Sequence, residues 1–303
     1  MAHQGKHIIT PPISPLKDDG TLDVEAYNEL LMLLKKLGLN KILVSSLYSE
    51  ANLMNDKEYE LLLRYSIDNA RKFDFVAFSP RGLSLELMVK DLILGVELGY
   101  RVAFVPILLE FATTDVHTYR FYDFITRRVD IDIIISVNDP NIQLSVNALE
   151  GLVNDIPQIK GIAVSSTDIG YLLELLWRLK HEIRGNIMLL TNLDEVFPLA
   201  LLMGFDGGIV LSSQVINRHF LDLVKYFEKG DLVNYLKAFA DIMVFLRLFR
   251  EAYSRIGVIK LALYLLHNWL RPILKQPYPS EHSYLYSEVK HILTTLGYIK
   301  EEG

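Results

Sequence analysis

Hydroxyl, amide and carboxylate side chains fall in short clusters along the chain. They are Ser45-Ser46-Leu47-Tyr48-Ser49-Glu50, Ser79-Pro80-Arg81-Gly82, Ser136-Val137-Asn138-Asp139, Ser165-Ser166-Thr167-Asp168, Thr191-Asn192-Leu193-Asp194-Glu195 and Leu211-Ser212-Ser213-Gln214. Four chemistries are open to such groups. A serine nucleophile needs a histidine base within reach, and no histidine stands near these clusters. The serines therefore read as partners for backbone groups at element ends. Glu50, Asp139, Asp168 and Asp194 offer oxygens to a hard cation. No histidine joins them and their spacing repeats no ligand motif, so they are expected to cap helices or meet solvent, and no metal is expected. Imine chemistry needs an amine, and the clusters hold no lysine. Lys160 lies three residues before Ala163, which alternation places on the opposite strand face, and Lys41 begins its apolar run. An anion site needs a cation, and Arg81 is the one available; its alternative is a surface salt bridge. Gly207 and Gly208 precede an apolar run instead of following one, against a phosphate loop. No cofactor is expected. His3 and His7 read as structural or terminal.

Each cluster follows an apolar run rich in Ile, Val or Leu. The runs are 8–10, 41–46, 75–79, 102–107, 132–137, 159–165, 187–191 and 208–212. Near-continuous apolar strands of this kind are buried on both faces, as in a parallel sheet covered by helices. Segments of helical period lie between them, at 24–37, 56–71, 83–98, 114–127, 148–153 and 171–181. Thr113-Thr114-Asp115 reads as an N-cap region, and Gly38, Gly99 and Gly204 read as helix stops. Eight strands alternating with helices predict an α/β fold, a (β/α)8 TIM barrel over residues 1–228. A doubly wound sheet is the rival, but no G-x-G follows the first strand. Residues 229–303 predict three accessory helices at 232–253, 258–269 and 284–296, packed on the barrel, with a frayed tail from Lys300 to Gly303. Aromatic residues at helical spacing there (Tyr235, Phe239, Phe245, Phe249, Tyr253) read as core or oligomer interface. In a barrel the clusters share the C-terminal mouth. Tyr48, Arg81, Asn138, Ser165 and Thr191 are expected to line one cavity, with Ser49, Glu50 and Ser212 beside it.

Composition narrows the function further. Among 303 residues, 31 Lys and Arg face 37 Asp and Glu, a net charge of −6. No basic excess exists to neutralise nucleic-acid phosphates. Half the residues are hydrophobic, which excludes disorder. Cysteine is absent, removing disulfides, thiol nucleophiles and thiolate metal sites together; this suits a hot, reducing cytoplasm. The polar start and Pro11, Pro12 and Pro15 argue against a secretory signal. No apolar run reaches membrane-span length, since Lys237, Asp241 and Arg247 break the strongest candidate. The positive mean hydropathy of +0.22 then predicts a large core and buried oligomer surface, as a homodimer or homotetramer.

Over nearly its whole length the chain resembles the dihydrodipicolinate synthase / N-acetylneuraminate lyase family of class I aldolase-like barrels. Thr10-Pro11-Pro12 followed by Asp19-Gly20-Thr21-Leu22-Asp23 resembles the family's T-P-F and D-G-x-[LIV]-D. Ser46-Leu47-Tyr48-Ser49-Glu50-Ala51 falls where the family has G-T-T-G-E-S. Val105-Pro106, Ile159-Lys160-Gly161-Ile162 and Asp206-Gly207-Gly208-Ile209 resemble its T-P, I-V-G-I-K and G-x-D-G-V-I segments. The resemblance implies a barrel with three C-terminal helices, commonly assembled as a tetramer built from dimers. It also implies a Schiff-base lysine, whose position falls on Ala163. The family tyrosine falls on Ile135 or Ser136, its tyrosine pair on Ile107 and Leu108, and its two threonines on Leu47 and Tyr48. The arginine found in many members has no counterpart between Asn138 and Leu144. Glu50 is kept, with a structural role. Three readings stay open: a barrel without pyruvate chemistry that binds a small polar or anionic ligand, an active aldolase with its lysine elsewhere, and a metal-assisted enzyme. The first predicts a narrow apolar floor, with Ile107, Leu108 and Ile135 filling the space a lysine would take.

Overall fold

The computed structural model describes residues 6–182, 187–278 and 283–300; His3 and the last three residues of the tail lie outside them. Eight strands form one parallel sheet: β1 (His7–Ile9), β2 (Lys41–Val44), β3 (Phe75–Phe78), β4 (Val102–Pro106), β5 (Asp132–Val137), β6 (Ile159–Val164), β7 (Met188–Thr191) and β8 (Gly207–Ile209). β8 pairs back onto β1. Thr10 closes the ring, donating its N–H to Lys41 O at 2.9 Å and accepting from Leu43 N at 3.0 Å. The result is a (β/α)8 barrel.

The helices that cover the barrel are α1 (Val24–Lys36), α2 (Asp56–Asp68), α3 (Leu85–Leu98), α4 (Asp115–Thr126), α5 (Val146–Asp155), α6 (Ile169–Trp177), α7 (Phe197–Met203) and α8 (Asn217–Lys229). Their ends follow capping chemistry. Asn55 and Glu58 form a reciprocal capping box on α2. Thr114 caps α4 and Asp168 caps α6, so Asp168 serves the backbone. Gly99 and Gly204 end α3 and α7 at φ +99° and +114°, where a side chain would strain. Beyond α8 come α9 (Leu232–Leu246), the short α10 (Leu248–Glu251), α11 (Arg255–Leu266) and α12 (Tyr286–Thr295). The helix expected to run to residue 253 therefore breaks at Arg247. Among the described residues no helix is long and apolar enough to cross a membrane.

Strand eight is shorter than its apolar run. It stops at Ile209, and residues 211–214 turn into a single 3-10 coil. The cause is Asp194, whose carboxylate accepts the N–H groups of Leu211 and Ser212 and so removes them from the ladder. Gly207 and Gly208 belong to the strand itself: a Cβ on Gly207 would stand 2.0 Å from His7 O.

Two cores result. The outer one lies between sheet and helices. The inner one holds one residue from each strand: Ile9, Leu43, Ala77, Phe104, Ile134, Ala163, Leu190 and Ile209. Ala163 points into the barrel and is 0% exposed. The neighbours that fill its layer include Phe104, Ile134 and Leu190. This corrects the expected filling residues: Ile135 and Ile107 belong to the outer core, and Leu108 packs against it. Alternation along β5 explains Ile135, since Ile134 takes the inner face.

Candidate active site at the barrel mouth

The strand ends converge on a narrow cavity above the inner core. Leu43, Phe104 and Ile209 form its floor, and Ser46, Leu47, Tyr48, Ser79, Ser136, Asn138, Ser165 and Asn192 its walls. Its volume of about 20 Å³ suits little more than one ordered water. A larger cavity of about 220 Å³ adjoins it, sharing Leu47, Ser79 and Asn138 and reaching Ser45, Asn52, Ile107 and Asp139.

The walls are held by neutral hydrogen bonds. Ser136 Oγ donates to Asn138 Oδ1 at 2.8 Å. Asn192 Nδ2 donates to Val137 O at 3.0 Å and to Ala163 O at 3.2 Å, tying β5, β6 and β7 together. Ser45 adopts φ 51° and donates to Ser79 O at 2.8 Å. A left-handed serine costs about 1–3 kcal/mol, and this bond, with Tyr59 Oη donating to the same carbonyl at 2.9 Å, fixes the β2 exit. Tyr48 Oη donates to Asn192 O at 3.4 Å. Burial, then the nearby Asp194 charge, pushes the Tyr48 phenol well above its usual range. It is a neutral donor at the mouth, not a base.

Of the eight residues singled out in sequence, Tyr48, Asn138 and Ser165 line this cavity. Five are elsewhere. Arg81 is the main correction. It is 4% exposed and turns toward the helices, clamping Asp91 of α3 through Nε at 2.9 Å and Nη2 at 2.7 Å. It also bonds Asp56 at 2.8 Å and lies over the Tyr59 ring. With its donors engaged, it is neither a surface salt bridge nor an anion partner. Glu50, at φ 58°, turns into a buried pair with Lys260 of α11 and accepts Lys275 N at 2.7 Å. Ser49 Oγ donates to Ser46 O at 2.7 Å. Thr191, fully buried, accepts from Leu193 N, and Ser212 is bonded to Asp194. Each is drawn off by a backbone group or a buried charge close by.

Sequence reasoning passed over Ser46, Ser79, Ser136 and Asn192 as lining residues. Strand alternation was the available signal: Ser136 stands two residues beyond inward-facing Ile134. It also missed Lys260. A lysine inside the buried run Gly257–Leu263 of α11 announces a buried counter-charge. Burial lowers its pKa against the pull of Glu50. The other lysines considered lie off the mouth as well. Lys160 is exposed near Asp132, and Lys41 donates to His7 Nδ1 at 2.6 Å. Burial, then Lys41, lowers the His7 pKa to about 4. Among the described residues no three His, Asp or Glu side chains gather as a metal would require.

A closed parallel barrel with C-terminal helices and a polar strand-end cavity defines the (β/α)8 TIM-barrel class. The chain belongs to the dihydrodipicolinate synthetase family, whose model matches residues 4–296. It is 25% identical to an uncharacterized DapA-like lyase of Thermococcus kodakarensis, over 94% of this chain and 98% of that protein. It is also 25% identical to a 4-hydroxy-tetrahydrodipicolinate synthase of Hydrogenobaculum, over 74% of this chain and 76% of that one. The dihydrodipicolinate synthase structure from Thermotoga maritima superposes with a TM-score of 0.89 at 21% identity, covering 98% and 100% of the two chains.

Proposed function

We propose that this family member works without a pyruvate Schiff base and binds a small, uncharged polar ligand at the barrel mouth. The observation that carries the reading is Ala163: it faces inward on β6 at the position where the family resemblance calls for lysine, and among the described residues no lysine lines either mouth cavity. Serine, asparagine and a protonated tyrosine cannot form an imine. Lys260 and Lys275, the buried lysines among the described residues, are held by Glu50 and Glu58, which supports a structural role for both. Arg81 is engaged by Asp91 and Arg255, the cation beside Tyr48, by Glu195, so the hydroxyl and amide walls favour a neutral polyol or amide over a 2-oxo acid. Apolar side chains exposed on α6 and α7, among them Ile169, Leu173 and Leu202, support assembly as a homo-oligomer.

A thermal-shift series at constant ionic strength tests the ligand class. Uncharged polyols and amides should raise the melting temperature, and Asn138→Ala should remove that effect. Stabilisation by pyruvate exceeding that of every neutral compound, and persisting in Asn138→Ala, would contradict the reading.

A further inference from the structure

The larger of the two mouth cavities, about 220 Å³, differs in chemistry from the narrow one it adjoins. Half of its lining residues are apolar: Leu47, Pro80, Pro106, Ile107, Leu109 and Ile142. Leu47 and Leu109 are 53% and 66% exposed, so both present hydrocarbon to whatever enters. The serines of this vestibule are spent on the backbone. Ser45 donates to Ser79 O, and Ser79 Oγ donates to Pro80 O at 3.3 Å. Two amides keep free donors. Asn52 Oδ1 accepts Gly82 N at 3.2 Å and Asn138 Oδ1 accepts Ser136 Oγ at 2.8 Å. The amide nitrogen of each has no hydrogen-bond partner among the described residues. Asp139 is the one charged side chain on the lining. Its Oδ1 accepts from the backbone N and Nδ2 of Asn141, at 2.8 and 2.9 Å.

Asn138 lines both cavities. A ligand bonded there can set its polar end among the serines and lay hydrocarbon against Leu47, Ile107, Leu109 and Ile142. We propose that the mouth ligand is amphipathic, a neutral amide whose carbonyl is held by Asn138 and whose aliphatic tail lies in the vestibule. An apolar cavity of about 150 Å³ takes a benzene-sized group, so there is room for a tail of about six carbons. Asp139 repels a carboxylate carried on the same tail. The inference rests on the neutral-ligand reading of the mouth and names the class within it.

A ligand-observed NMR titration of the full chain with acetamide, butyramide and hexanamide, at constant ionic strength, tests it. Affinity should rise about twofold per added methylene, half the free-energy gain of complete burial, because the vestibule is open on one side. Hexanoate should bind about fivefold more weakly than hexanamide, the scale of one repulsion across a wet site. Leu109→Asn and Ile142→Asn should each flatten the series, and Leu109 is exposed enough for that variant to fold normally. Affinity that stays level from acetamide to hexanamide would overturn this inference and leave the neutral mouth standing, as would an unaltered series in both variants. Hexylamine binding more tightly than hexanamide would move recognition to Asp139 and sink the neutral class; hexanoate doing so would sink the mouth reading with it.

Discussion

The barrel axis and its flanks solve the same problem in opposite ways. Along the axis, from Ala163 up to Ser136 and Asn192, the described lining is apolar or neutral and its polar groups satisfy one another. On the flanks, charge is buried deliberately in pairs: Arg81 with Asp91 on one side, Glu50 with Lys260 on the other. Both pairs start from strand-end loops, after β3 and β2, yet both turn outward to fasten helices. Charged residues beside a barrel mouth are therefore not by position catalytic; what decides is which way the side chain leaves the loop. Here Glu50 ties the β2 loop to α11, and Lys275 ties the segment after α11 to Glu58 at the start of α2.

The largest expected effect breaks a flank. Lys260→Met leaves Glu50 buried and unpaired, and should cost about 3–5 kcal/mol in urea unfolding. Combining it with Glu50→Gln should recover part of that loss; equal instability of the single and double variants would show that packing, not charge, is at stake. Next is the carboxylate between the two regions. Burial outweighs the Ser212 and Leu211 hydrogen bonds and raises Asp194 from 3.8 to about 6. The native state then holds the proton more firmly than the unfolded chain. The contribution is full below about pH 4 and is lost as pH rises through 6, by about 3 kcal/mol. Asp194→Asn should flatten that part of the stability–pH curve, and an unchanged slope would refute the assignment. The smallest effect belongs to the mouth. Ser165→Ala should alter stability by about 1 kcal/mol or less; a loss as large as that of Lys260→Met would erase the distinction between axis and flank.

Much of this arrangement can be read from the chain. Apolar runs separated by capped helical segments specify the barrel, because strand burial and helix ends are local in sequence. The hydroxyl clusters mark the mouth for the same reason. The direction of Arg81 is not local: it depends on Asp91, ten residues on, facing inward from α3 among Met88, Leu92 and Gly95. A charge on an apolar helix face is the trace such pairs leave, and Lys260 on α11 leaves the same one. The early end of β8 is harder still, since it depends on Asp194 capturing two amides from another strand's exit.

The central claim is that no amine reaches the mouth. It is tested most directly by the intact mass of the protein after incubation with pyruvate and reduction by borohydride. The account predicts an unchanged mass, and no trapped imine in Ala163→Lys beyond a slow, non-turnover adduct, because groups that act as a unit are not restored singly. A stoichiometric pyruvyl adduct on the unaltered chain, mapped to any one lysine, would contradict it.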